Sequence, residues 1–306
     1  MKEKIAQIIP YFGKWPEWID LYFYSCGQNP MIDFIFYTDC IIPAPKYNNL
    51  FFHKCSFDEY KSFVSRKLGI DYRNVSPYKL TDLKPFLGLV HEEELQKYDF
   101  WAFGDIDIVY GDLSRWINEI TLTKYDIITT HAYRIAGHFC LVRNNDYYRN
   151  LCLKIKDWLV GLCEERHHAY DELDWSELVN TWEHNISRLY RYLLCHIGFS
   201  RDCVYGTFNK ILYGHIYNQE LHTTPYPQPV SGKEVVSPRT WIYDVKNNKV
   251  ISDNGRELPY LHFMAFKQCQ YVDTEDYWKG DFYKIEAPFE QYKSICFNYK
   301  GVYGII

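Results

Sequence analysis

The chain has 306 residues, of which 47% are hydrophobic and 24% charged, enough for one large α/β domain with additions or for two smaller domains. Its formal net charge of −5 argues against broad nucleic-acid binding, which needs a basic face, so any recognition of phosphate should be local. The ten cysteines show no Cys-x-x-Cys pair and no zinc-like spacing, and no apolar run approaches the length that spans a membrane.

These features predict a reducing, cytoplasmic setting. The apolar run near the start is closed too soon, at Pro10, to form a signal peptide. Peripheral attachment at the inner face of a membrane stays open, because Trp and Tyr beside Lys and Arg suit an interface. The oligomeric state has no signal in the sequence.

The first forty residues predict a strand, a helix and a second strand. Residues 5–10 form a short apolar run, a helix follows Pro16, and residues 33–37 give the second strand. This order is the start of a nucleotide-binding α/β half. Its ligand-binding edge would carry three residues, Tyr11, Phe12 and Asp39.

The next segment predicts a third short strand at residues 51–52 and a helix that begins at a capping box, Ser56 to Glu59, and ends at Gly69. A charged stretch follows, with Lys79, Asp82 and Lys84. Charge pattern alone favours a solvated loop for this stretch.

The central stretch, residues 99–113, carries the strongest chemical signal. An almost wholly apolar run at residues 100–103 predicts a buried parallel strand, and Asp105 and Asp107 follow it with one residue between them. Ligands bind at this edge of open α/β sheets, and paired carboxylates suit hard divalent cations such as Mg²⁺ or Mn²⁺. The pair is thus a candidate metal and phosphate site, although two acids that merely cap a turn would look the same.

The middle of the chain predicts further strands and helices. The expected elements are a helix over residues 113–120 with Trp116, Ile117 and Ile120 turned inward, strands at 126–130 and 137–143, one long helix from 144 to 161 and a helical tract from 174 to about 197.

The last third predicts a long loop, a hairpin and a final short strand. Residues 217–239 are rich in Pro, Ser, Thr and Gly, and an Asn247-Asn248 turn joins the two arms of the hairpin. The final strand carries His262 and, beyond it, Lys267. Judged alone, a His at a strand end is more often a hydrogen-bonded structural residue.

Taken together, these segments resemble bacterial glycosyltransferases of the GT-A fold, over nearly the whole chain. The segments that carry the resemblance are residues 8–13, 33–39, 78–85, 99–113 and 261–263, and the block at 101–113 is the most specific. The resemblance implies an α/β fold with a GT-A-like, Rossmann-type mixed sheet flanked by helices and with a C-terminal hairpin and helical additions. It implies one catalytic domain over residues 1–306, with a nucleotide-sugar-binding half at 1–145 and an acceptor half at 146–306.

The resemblance also implies roles for the candidate residues. Asp105 and Asp107 would bind Mn²⁺ or Mg²⁺ bridging the diphosphate of a nucleotide sugar, usually a UDP-sugar, with Asp105 nearer the ribose and Asp107 a direct ligand. His262 resembles a further metal ligand and Lys267 a diphosphate contact. The segment with Lys79, Asp82 and Lys84 would line the nucleotide site, in a donor site shared with Tyr11, Phe12 and Asp39.

The expected activity is metal-dependent, hexosyltransferase-like transfer of a sugar to a glycan or polysaccharide. An inverting enzyme needs a carboxylate base, for which Asp171 and Glu172 are candidates, although ordinary charge placement favours a solvated acidic helix start for them; a retaining enzyme needs no such base. Gly137, His138 and the 217–239 loop would face the acceptor. Two other functions stay open, a noncatalytic carbohydrate-binding or assembly protein with aromatic sugar platforms and a nucleotidyltransferase.

Overall fold

The structure, a computed structural model, describes residues 3–44, 46–130, 134–179, 193, 211–213, 228–230, 234–236, 240–252, 255–262, 283–298 and 301–306. The strands in these residues are, in chain order, β1 (Ile5–Pro10), β2 (Ile32–Thr38), β3 (Leu50–Lys54), β4 (Phe100–Gly104), β5 (Ile108–Tyr110), β6 (Ile127–Thr129), β7 (Phe139–Arg143), β8 (Ile211–Tyr213), β9 (Gln228–Val230), β10 (Glu234–Val236), β11 (Trp241–Asp244), β12 (Lys249–Ser252), β13 (Glu257–Leu258), β14 (Tyr260–His262), β15 (Tyr283–Lys284), β16 (Ser294–Asn298) and β17 (Gly301–Ile305).

The α-helices are α1 (Ile19–Gly27), α2 (Phe57–Leu68), α3 (Leu80–Leu83), α4 (Leu87–Val90), α5 (Glu92–Leu95), α6 (Glu119–Lys124), α7 (Asp146–Asn150), α8 (Trp158–Gly161) and α9 (Asp174–Val179). Single 3-10 turns lie at Pro77–Lys79, Lys84–Phe86, Leu113–Arg115, Leu151–Lys154 and Phe289–Gln291. None of the helices in the described residues is long and apolar enough to cross a membrane.

The main sheet has seven strands in the order β3-β2-β1-β4-β7-β6-β8. The first four are parallel to one another, β7 runs antiparallel to both of its neighbours, and β8 is parallel to β6. The sheet is therefore mixed and has helices packed against it. This is the predicted α/β class.

Alternate residues of the sheet strands pack on opposite faces, which gives two hydrophobic cores. Trp101 and Phe103 of β4 belong to the core that α2 and α9 cover, whereas Phe100 and Ala102 belong to the core that α1 covers. Because β4 is buried on both faces, its sequence is a continuous apolar run. Its rigid surroundings fix the point at which Asp105 leaves the sheet.

A second sheet of six strands, ordered β13-β12-β11-β16-β17-β15, lies against the outer face of α1. The predicted hairpin is confirmed as β11 paired with β12, with Asn248 in the left-handed conformation at the turn (φ 49°). Close to this sheet, β14 pairs with β5 in a separate two-stranded ladder. That pairing brings His262, at the end of β14, to the loop after β4.

The capping box of α2 is also confirmed. Ser56 accepts a hydrogen bond from the Glu59 amide, the Glu59 carboxylate accepts one from the Ser56 amide, and Gly69 ends the helix with a φ of 67°. A left-handed residue at this position is the usual way to end a helix, and glycine adopts it without steric cost.

Two predicted helices are wrong. Residues 113–118 include only the 3-10 turn capped by Asp112, and a new capping box at Asn118 starts α6, so Ile120 is exposed rather than turned inward. The expected long helix from 144 to 161 begins as predicted at the Asn145 cap but ends after the 3-10 turn, because Ile155 is extended and Asp157 is left-handed. Of the tract from 174, the described residues include α9 and the single residue 193.

A buried asparagine holds the segment that follows β5. The Asn29 side chain, 2% exposed, donates to the carbonyls of Ser25 and Gly111 and accepts from the Leu113 amide. It ties the end of α1 to the segment that leads away from the Asp105 and Asp107 loop.

We predict that Asn29→Ala lowers the free energy of unfolding by about 2–4 kcal/mol, because it leaves several buried backbone groups without partners. Urea denaturation measures the change. Asn247→Ala is the matched control: Asn247 is exposed and bonds only within its own turn to Asp244, so it should cost less than about 1 kcal/mol. Equal losses for the two variants would contradict the role given to Asn29.

Candidate active site

A cavity of about 680 Å³ opens where β1 and β4 end. Its wall includes Tyr11 and Phe12, which follow β1, and Asp105 to Asp107, which follow β4. These are the carboxyl ends of neighbouring parallel strands, the edge at which ligands bind in open α/β sheets.

Asp105, Asp107 and His262 meet at the wall of this cavity. His262 ends β14 and lies opposite Ile108 of β5, so the backbone pairing places it next to Asp107. Its Nε2 atom is 3.4 Å from Asp107 Oδ2 and 3.9 Å from Asp105 Oδ2. The three residues together offer ligand atoms that all lie within 4.8 Å of one another.

The chemistry of this group fits a divalent cation. Asp107 and His262 are each only 3% exposed. Two carboxylates so close together repel each other where water screens them poorly, and a cation between them removes that repulsion. Carboxylate oxygens are ligands that Mg²⁺ and Mn²⁺ prefer, and a neutral imidazole is the commonest nitrogen ligand to metals in proteins.

Lys84 lies beneath the group as a buried cation. Its Nζ atom donates to Asp105 Oδ1 at 2.6 Å and to the Gly137 carbonyl at 2.8 Å, and it lies 3.7 Å from Asp171 Oδ2. Burial acts to lower the pKa of Lys84, but Asp105 and Asp171 outweigh it and hold the pKa above its ordinary value. Lys84 therefore stays charged and links two acids from different parts of the chain.

Asp171 is a buried acid of the site with a raised pKa. Burial raises its pKa to about 6 and the charges of Glu172 and Asp105 act in the same direction, whereas Lys84 lowers it. Its Oδ1 accepts from the Glu172 amide at 2.9 Å. Gly137 packs directly against the carboxylate, since a Cβ atom at that position would clash with Asp171 Oδ2.

Glu172 has a different environment from its neighbour. One carboxylate oxygen lies 2.9 Å from Arg134 Nη1, and the other accepts from the Gly137 amide at 3.4 Å. The structure thus brings both predicted acids to the cavity, but Glu172 is an ion-paired residue of the wall, while Asp171 sits against the buried lysine.

Lys79 and Asp82 do not line the cavity, so the structure corrects their expected contact with a nucleotide. They form a buried ion pair with Nζ and Oδ2 2.9 Å apart, and both are at most 1% exposed. Lys79 also donates to the Arg166 carbonyl, and Asp82 accepts from the His168 amide. The expected solvated loop is likewise wrong, because these charges fasten the 166–168 segment to α3.

Of the predicted donor-site residues after β1 and β2, Tyr11 and Phe12 line the cavity and Asp39 does not. Asp39 is exposed, and its carboxylate accepts from the Gly13 amide at 2.7 Å, which holds the loop after β1. Gly13 adopts a φ of 108°, a conformation that favours glycine.

The predicted acceptor-facing residues are partly described. Gly137 and His138 line the cavity, and the His138 ring stacks on His262 with centroids 4.5 Å apart. Of the 217–239 loop, the structure describes only β9 and β10, which pair with each other. Lys267 lies outside the described residues.

The polar residues on the cavity wall that the sequence did not indicate include Tyr78, Thr81, Arg134 and His167. Tyr78 lies within the segment quoted for Lys79, and His167 lies in the polar segment before Asp171, but neither has a local pattern that indicates a site. Only the packing of α3 against residues 166–168 brings them together.

Comparison with known proteins identifies a sequence family, and the solved structures that match include a galactosyltransferase with a weak likeness to this chain. The sequence model of a family of unknown function, DUF6625, matches residues 7–293. A solved galactosyltransferase, LgtC in complex with donor and acceptor sugar analogues, is 14% identical with a TM-score of 0.31, and the match covers 56% of this chain and 69% of that chain. No curated protein matches the chain.

The pKa of Asp171 predicts a pH dependence of stability. Its value of about 6 in the folded chain lies above the ordinary 3.8, so between these values the folded state keeps a proton that the unfolded state has lost. Ionisation of Asp171 therefore costs stability as the pH rises. Between pH 4 and pH 7 the wild type should lose roughly 2–3 kcal/mol of unfolding free energy relative to Asp171→Asn.

Urea denaturation in metal-free buffer across this range measures the difference. Asp58→Asn, which alters an exposed acid of α2 outside the cavity, serves as the control. The difference in unfolding free energy between this variant and the wild type should not grow by about 2–3 kcal/mol over the same pH range. A gap between the wild type and Asp171→Asn that stays constant with pH would show that Asp171 is not perturbed.

Proposed function

The chain belongs to the DUF6625 family, whose function is unknown, and we propose that it is a metal-dependent glycosyltransferase that moves a sugar from a nucleotide sugar to a glycan. One observation carries the proposal: Asp105, Asp107 and His262 converge at the wall of a cavity that also holds Lys84 and Asp171. This set combines a group suited to a divalent cation, which can stabilise a diphosphate leaving group, with an acid of raised pKa, which an inverting transfer can use as its base.

Asp105, Asp107 and His262 would hold Mn²⁺ or Mg²⁺, and the imidazole favours Mn²⁺ because Mg²⁺ prefers oxygen ligands throughout. When bound, the cation neutralises the negative charge that the diphosphate gains as its bond to the sugar breaks. The cavity, with Tyr11 and Phe12 on its wall, is large enough for a nucleotide-sized ligand at about 680 Å³.

Lys84 acts as a positioning residue. Its two short hydrogen bonds, to Asp105 and to the Gly137 carbonyl, leave it held within the wall rather than extended into the cavity. It fixes the orientation of the Asp105 carboxylate, and such support from behind tunes a metal ligand. Its charge also keeps the pKa of Asp171 from rising further.

For a transfer that inverts the sugar carbon, we assign Asp171 rather than Glu172 as the base, because Glu172 is paired with Arg134. With a pKa of about 6 it is ionised at neutral pH and still basic enough to take a proton from the acceptor hydroxyl. The acceptor oxygen bonds to the sugar carbon as the bond from that carbon to the diphosphate breaks. Glu172, paired with Arg134, positions the wall beside it.

The finer parts of the proposal are a uridine nucleotide as the leaving group, a polysaccharide as the acceptor, and a split into a donor half at 1–145 and an acceptor half at 146–306. They rest on the resemblance to GT-A glycosyltransferases. A cytoplasmic location, with or without attachment to a membrane surface, is supported by the seven cysteines of the described residues, which form no disulfide.

We predict that Asp107→Asn lowers donor turnover by about 100-fold or more in the presence of Mn²⁺, because it weakens a metal ligand. The measurement is the release of free nucleoside diphosphate from a panel of nucleotide sugars. Asp112→Asn is the matched control: Asp112 follows β5, caps a 3-10 turn through the Ser114 amide and does not line the cavity. It should keep turnover within about threefold, since a cap affects stability rather than chemistry.

A parallel assay with nucleoside triphosphates and sugar phosphates separates the other two functions. A nucleotidyltransferase would release pyrophosphate from the triphosphate as it joins the nucleotide to the sugar phosphate, and a noncatalytic carbohydrate-binding protein would release neither pyrophosphate nor nucleoside diphosphate. Full turnover by folded Asp107→Asn at saturating Mn²⁺ would overturn the metal role.

A further inference from the structure

We propose that Tyr78, Thr81 and His167 form the subsite that binds the acceptor, and that its ligand is an uncharged hexose unit presenting a ring face and free hydroxyls. This inference rests on the proposed function and names the place of the acceptor within the same cavity. All three residues lie on the cavity wall.

The subsite is built on Asp82, a carboxylate with no exposed surface. Oδ2 is 2.9 Å from Lys79 Nζ, Oδ1 is 3.1 Å from the Nδ1 atom of His167, and both oxygens accept from the His168 amide. A carboxylate with this many donors is fixed in place. It therefore holds the His167 ring in one orientation even though 37% of that side chain is exposed.

This contact determines which ring nitrogen can meet a ligand. Nδ1 of His167 is hydrogen-bonded to the Thr81 hydroxyl at 3.2 Å and lies 3.1 Å from Asp82 Oδ1. Because the Thr81 hydroxyl donates its own proton to the Tyr78 carbonyl, Nδ1 is the donor to it. Nε2 is the nitrogen left for the cavity, and in the neutral ring it is a hydrogen-bond acceptor. A hydroxyl group is the natural donor to it.

Tyr78 supplies the apolar surface of the subsite. It is 62% exposed, and its ring meets the His167 ring at 61° with centroids 5.4 Å apart. An exposed aromatic ring on a cavity wall, beside a fixed polar group, suits a ligand with one apolar face and polar edges. A hexose ring has this form.

The subsite is connected through the backbone to Asp171, the proposed base. His167, Ala169 and Asp171 alternate along one short segment, and all three line the cavity. A sugar held by His167 thus lies beside the segment that carries Asp171. This wall also suits an uncharged ligand, because the Asp82 charge faces Lys79 and the Glu172 charge faces Arg134.

Saturation-transfer NMR with methyl glycosides of glucose, galactose, mannose and N-acetylglucosamine tests the subsite without donor or metal. We expect at least one glycoside to bind the wild-type chain. Tyr78→Ala and His167→Ala should each raise its dissociation constant by about 3- to 10-fold, the size of one ring contact or one hydrogen bond. Tyr78→Phe should stay within about twofold, and His167→Gln, whose amide can meet the same hydroxyl, should lose less than His167→Ala.

Tyr147→Ala is the matched control, because Tyr147 is similarly exposed, at 55%, but lies outside the cavity wall. The proposal is overturned if no glycoside binds the wild type, or if Tyr78→Ala and His167→Ala bind as the wild type does. Donor breakdown without acceptor should be measurable in the wild type and should stay at the wild-type rate in Tyr147→Ala. If the wild type shows no donor breakdown, the proposed transferase activity is wrong, whereas the sugar-binding result is unaffected.

Discussion

The site depends on the backbone pairing of β5 with β14, which sets His262 opposite Ile108 and so beside Asp107. The two strands are far apart in sequence, and neither belongs to the main sheet. Because an antiparallel register fixes each residue to one partner, a slip of one residue would turn His262 away from the acids. The group of Asp105, Asp107 and His262 is thus produced by strand register.

A second constraint is the balance of charge around Lys84. The lysine is buried, and burying an isolated ammonium group would be costly, so its two carboxylate neighbours must be present together. Asp105 comes from the end of β4, and Asp171 comes from the segment that the Lys79 and Asp82 pair holds in place. Two buried clusters of charged residues, one around Lys84 and one around Asp82, are therefore joined through the 166–171 segment, which carries both His167 and Asp171.

Local patterns predicted the parts of the fold that local interactions determine. The apolar run of β4, the capping box of α2 and the hairpin turn at Asn248 each carry their own signal. The helix expected over 113–120 is wrong because Asn118, five residues after Leu113, caps a new helix. The solvated loop expected around Lys79 and Asp82 is wrong because both charged side chains are buried, which their polar character does not indicate. The Asp105 and Asp107 pair was visible in the sequence, whereas the contacts of His167 with Asp82 depend on packing between distant segments.

The most direct test of the central claim is a crystal of the chain grown with MnCl₂ and a nucleoside diphosphate, examined by anomalous scattering at the manganese edge. Our account predicts one strong peak within coordination distance of Asp105, Asp107 and His262, with the diphosphate beside it. A peak that lies elsewhere while these three side chains keep their positions, or bound nucleotide with no manganese among them, would contradict it.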